Sequence, residues 1–68
     1  MDTRGRHDPT LKPVLVTVEQ AAAMLNIGRT AAYELVRKKH LASVRIGNSR
    51  RVVVASIHAY VKRLLEEE

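Results

Sequence analysis

Between Arg29 and Arg51 the chain places seven cationic side chains, Arg29, Arg37, Lys38, Lys39, Arg45, Arg50 and Arg51, against a single carboxylate, Glu34. The 68-residue chain has a formal net charge of +5, so this segment holds more than the whole excess and the remainder is slightly acidic. Segregated positive charge is the electrostatic footprint of a polyanion partner. The other reading is a merely solvated basic surface. It is weakened by where the charge sits, on the second of two short helices joined by a tight turn and on the ribbon that follows them.

Other chemistry lacks its convergent groups. Asp2 and Asp8 both lie in a segment with no hydrophobic period, so no paired aspartates are held on a scaffold. His7, His40 and His58 fall in different elements, with no His/Asp/Glu cluster at metal-ligand spacing. His40, near a helix end, reads as a surface or cap residue. Ser43, Ser49 and Ser56 have no evident base partner. The three glycines are scattered, so there is no phosphate-cradling loop, and with no cysteine there is neither a disulfide nor a thiolate zinc site. An enzyme is not expected, nor any cofactor or metal.

The elements that must position the cations can be read from periodicity. Thr17-Val18-Glu19-Gln20 is a capping box, and Val18, Ala21, Ala22 and Leu25 follow at i, i+3, i+4, i+7, one apolar stripe of a helix. Asn26-Ile27-Gly28 breaks the pattern. A second helical run turns Ala32, Leu35 and Val36 inward and carries Arg29, Thr30, Tyr33, Glu34, Arg37 and Lys38 on its other sides. Two helices across a short Gly-containing turn describe a helix-turn-helix. After Lys39 the period becomes alternating. Val44 and Ile46 point one way, expected to be inward, and Arg45 the other; Gly47-Asn48-Ser49 is turn chemistry, and Arg51-Val52-Val53 returns as the second strand of a hairpin. Ile57, Tyr60, Val61 and Leu64 then mark a third amphipathic helix from about Ala55 to Glu66.

The expected fold is α+β, mainly helical: helix, turn, helix, two-stranded β wing, C-terminal helix. Residues 1–13, with both prolines and no period, are expected to be a disordered basic arm, and residues 14–68 a single winged helix-turn-helix domain. The expected core is Val18, Ala22, Leu25, Ile27, Leu35, Val36, Val44, Ile46, Val52, Ile57, Val61 and Leu64. Leu15 or Val16 is expected to seal the base of the first helix. No apolar run approaches the roughly 18 residues that span a membrane. The charged N-terminus does not resemble a secretory signal, so a cytoplasmic, nucleoid-associated protein is expected.

The series Leu25-x-Ile27-x-Arg29-Thr30-x-x-Tyr33-x-Leu35-Val36, Leu41-x-x-Val44-Arg45-Ile46-Gly47, Arg51-Val52 and Ile57-x-x-Tyr60-Val61 resembles the excisionase-type winged helix-turn-helix domain. That group is related to the DNA-binding heads of MerR regulators. The resemblance covers about residues 15 to 65. Two positions depart from the family pattern. Gly28 stands where a serine-like cap is usual, and Lys39 stands where glycine commonly ends the second helix, so Lys39 or His40 must take the left-handed conformation.

The resemblance implies a second helix entering the major groove of double-stranded DNA and a wing lying on the backbone or in the minor groove. On that basis Arg29, Thr30, Tyr33, Glu34 and Arg37 are the expected major-groove residues. Arginines there bond bidentately to guanine. Glu34 either accepts from cytosine or orients a neighbouring arginine, and Tyr33 either bonds a phosphate or packs on the wing. Lys38, Lys39, Arg45, Asn48, Ser49, Arg50 and Arg51 are the expected backbone or wing contacts, with Asn48 and Arg50 at the tip. One head of this size binds one site weakly, so the expected protein is monomeric or weakly self-associating in solution and cooperative on repeated sites. It would bend DNA and assist an integrase in excision. The alternatives are a small transcriptional repressor of the same fold and a protein-binding adaptor with a basic face.

Overall fold

Thr17 starts the first helix as its neighbours require. In the computed structural model, which describes residues 12–67, the Thr17 hydroxyl accepts from the Gln20 amide at 3.0 Å, and Gln20 Oε1 accepts from the Thr17 amide at 2.8 Å. The capping box is therefore closed in both directions and opens α1 (Val18–Leu25). The expected basic arm, with Arg4 and Arg6, lies outside the described residues except for its last two positions. Asn26 ends α1 in the left-handed region (φ 59°), where its amide bonds Ala23 O at 3.1 Å and the Ile27 amide bonds Ala22 O at 2.9 Å. That pair of bonds is a Schellman closure, and asparagine is among the few non-glycine residues that adopt this conformation readily.

Helix α2 (Arg29–Arg37) follows after Gly28, whose backbone is extended and offers no side-chain cap. Ala21, Ala22 and Ala32 are all buried, and their small side chains let the two helices approach closely; Val36 is buried beside them. Lys39, not His40, takes the left-handed conformation at φ 68°. Its amide bonds Val36 O at 3.1 Å and the His40 amide bonds Leu35 O at 2.9 Å, so a second Schellman closure forms on a lysine. The chain then buries Leu41 to 1% exposure, a core residue the periodicity did not single out.

The hairpin pairs β2 (Ser43–Ile46) with β3 (Ser49–Val53) across Gly47-Asn48, with Ile46 opposite Ser49. Ser49 is thus a strand residue and not part of the turn. Gly47 has φ +60° and Asn48 does not have a positive φ, the pattern of a type II′ turn, which wants glycine first. A third strand, β1 (Leu15–Val16), pairs antiparallel with the other edge of β3, giving the order β1-β3-β2. Two residues are too few to show a period, which is why only a two-stranded wing was expected. Of the candidates for the seal below α1, Val16 is buried and Leu15 is half-buried.

The faces of the hairpin are the reverse of expectation. Residues directly opposite in an antiparallel pair share a face. Val52 is fully buried and stands opposite Ser43, so Ser43, Arg45 and Arg50 lie on the face turned toward the helices. Val44 and Ile46 lie on the outer face, 41% and 59% exposed, and are not core. The alternation was correct; its absolute direction depends on which strand residue meets the helices, a fact absent from the alternation itself.

Helix α3 (Val54–Glu67) leaves β3 without a loop, tied by the Val54 amide to Val14 O and the Val53 amide to Ala42 O, each at 2.9 Å. Ser56 is not its cap. The Ser56 hydroxyl donates to Val53 O at 2.6 Å and accepts from the Ala42 amide at 3.0 Å, fastening the helix to the lead-in of β2. Only Ile57 is buried, with Tyr60 packed on the core; Val61 (38%) and Leu64 (43%) are exposed, contrary to expectation. Every residue of α3 from Val61 to Glu67 is exposed, so its final turns overhang the core. Among the described residues no helix is long and apolar enough to cross a membrane.

Candidate nucleic-acid interface

Arg37 of α2 and Arg50 of the wing meet at one groove, which Arg29 and Arg45 do not line. Tyr33, Glu34 and Arg37 from α2, Lys39 from the turn after it, and Ser43 and Arg50 from the hairpin line a single concavity. Leu41, in the segment that joins α2 to β2, is anchored in the core shared by the helices and the sheet. The Schellman closure at Lys39 ends α2 and turns the chain toward β2.

Each wall is held by specific contacts. Arg37 Nη2 donates to Glu34 Oε1 within α2. At the other end of the helix Arg29 Nη1 stands 3.8 Å from Glu19 Oε2 of α1. Both arginines project into solvent, with side-chain exposures of 68% and 69%. Thr30 is exposed beside Arg29, and Tyr33 is 45% exposed on the groove. On the wing, Arg50 Nη1 donates to Ser43 Oγ at 2.9 Å, and Arg45 stands directly opposite Arg50 on the same face. Like charges in register destabilise a ladder.

Not every predicted residue joins this surface. Arg51 is paired with Val44 on the outer face, and its guanidinium donates to Arg50 O at 3.0 Å. Ser49, opposite Ile46, is also on the outer face. Asn48 is exposed at the hairpin tip and Lys38 is exposed after α2, neither of them lining the groove. Glu19 and Ser43 were not foreseen as members of the site, although they hold Arg29 and Arg50. Nor was the stack of His40 on Tyr60, with ring centroids 5.8 Å apart, and Arg63 5.6 Å over the same ring. Among the described residues, no group of acidic, His or Cys side chains could hold a metal ion.

Comparison with known proteins agrees with this geometry. A helix-turn-helix domain family matches residues 15–64, from β1 into the overhang of α3. A probable excisionase of Saccharopolyspora erythraea is 46% identical over 55 residues, 81% of this chain and 56% of that protein. An excisionase of Streptomyces ambofaciens is 36% identical over 58 residues, 85% of this chain and 94% of that protein. The chain therefore spans little more than half the length of the first relative and nearly all of the second. No solved structure matches the chain. The match reaches every element that builds the groove, and on that basis the chain belongs to the helix-turn-helix domain family and, within it, to the excisionases.

Proposed function

We propose that this DNA-binding excisionase grips a duplex with the groove and ridge formed by α2 and the wing, and that it acts on DNA in the nucleoid without catalysing strand breakage itself. The observation that carries the proposal is the convergence of Arg37, Lys39 and Arg50, from separate elements, on one groove. A helix followed by a ribbon that lines the same groove suits major-groove entry by α2, with the ribbon on the adjacent backbone. Arg29, Thr30, Tyr33, Glu34 and Arg37 are then the base-facing set. Lys38, Lys39, Arg45, Asn48 and Arg50 set register on phosphates, which attract without reading sequence; Arg51 and Ser49, on the outer face of the hairpin, are left out of this set. Glu34 already contacts Arg37, which supports its orienting role over direct contact with cytosine.

A surface this small supports weak binding at one site, so useful occupancy requires several copies on neighbouring sites, coupled through contacts or through DNA bending. That arrangement fits an architectural role in which a partner integrase performs the chemistry. An excision assay on an integrated element, run with and without the protein and joined to footprinting of the element's ends, tests it. Loss of excision without the protein, with protection of repeated sites, is expected. Unchanged excision together with altered transcription from a nearby promoter would instead identify a regulator.

A further inference from the structure

Among the described residues there are two ion pairs, and each involves an arginine of α2: Arg29 with Glu19, and Arg37 with Glu34. The cations of the wing have no such partner. Arg50 leans on a hydroxyl and Arg51 on a backbone carbonyl, both neutral acceptors. The four paired side chains are between 47% and 69% exposed, and exposed pairs of this kind contribute little to stability. Their placement therefore calls for an explanation other than folding.

A carboxylate beside a guanidinium repels an approaching phosphate oxygen and competes for the same donors. A guanine edge offers neutral acceptors, O6 and N7, and is repelled far less. The donors of the guanidinium that do not face the carboxylate remain free to meet it. We infer that Glu19 and Glu34 are specificity-determining residues, which shield Arg29 and Arg37 from phosphate and so keep the affinity for arbitrary duplex low. Glu19 thereby belongs to the recognition surface although it sits on α1. The inference rests on α2 being the base-facing element.

The test uses two duplexes: one of random sequence, and one recovered by in vitro selection with the unaltered chain. Binding is titrated for Glu19→Gln, Glu34→Gln and, as a control for bulk charge, Glu67→Gln on the last turn of α3. Each of the first two changes should tighten binding to the random duplex by about two- to fivefold. Each should also steepen the salt dependence by about one unit of slope, because a freed arginine engages a phosphate. Affinity for the selected duplex should change less, so the ratio between the two falls. In Glu19→Gln, adding Arg29→Ala should abolish the gain. Equal tightening by Glu67→Gln, or no tightening by either of the first two changes, overturns the inference. So does a Glu34→Gln variant that only exchanges the preferred base at one position. If Arg29→Ala and Arg37→Ala leave binding to both duplexes unaltered, the failure lies with the α2 surface itself.

Discussion

In α2, Arg29 and Arg37 each stand beside a glutamate, whereas in the hairpin Arg45 and Arg50 stand opposite each other with no carboxylate between them. One region holds its charge in check and points it; the other concentrates like charge. The contrast matches two different tasks. Discrimination between bases gains from arginines that are oriented and shielded, and attraction to any duplex gains from arginines that are bare. Lys39 stands at the hinge between the two, in a backbone conformation that favours glycine, and its side chain lines the shared groove.

The comparison can be broken outright by weakening the core on which the two regions rest. Leu41→Ala should cost about 2–5 kcal/mol in urea unfolding, since Leu41 is 1% exposed in the segment that joins α2 to β2. Binding to every duplex should fall with the folded fraction. A narrower change sharpens the contrast: Arg37→Ala should lose about 1–3 kcal/mol on a selected site and much less on random sequence, measured by titration. Arg50→Ala should weaken both duplexes alike and reduce the salt slope by about one. The smallest effect is also the most diagnostic. Lys39→Gly should raise unfolding stability by about 0.5–1 kcal/mol, by relieving the left-handed strain, yet bind DNA more weakly. If Lys39→Gly stabilised the fold and left binding intact, the lysine would have no role in the groove.

What could be read from residues alone was whatever depends on near neighbours. The Thr17–Gln20 box, the turn at Asn26 and the left-handed position at Lys39 or His40 are local matters, and the structure places them as the residues imply. The convergent groove was legible in outline, because the cations were already grouped on α2 and the hairpin. Facing was not. Val44 and Ile46 alternate with Arg45 whichever side meets the helices, and Val52 opposite Ser43 decides the matter only once the ribbon is docked. The stripe through Ile57, Val61 and Leu64 was equally ambiguous, since its period says which residues align and not how much body lies beneath them. Glu19 read as a first-turn acid of α1, and its proximity to Arg29 exists only after the two helices fold against each other.

The central claim is that α2 and the inner face of the wing meet DNA together. Backbone amide shifts recorded while the protein is titrated with a selected duplex test it directly. The account predicts that the largest perturbations fall in Arg29–Lys39 and in Arg45–Arg50, with the overhanging turns of α3 nearly unmoved. Perturbations centred on Val61, Leu64 and Leu65, with α2 silent, would contradict it.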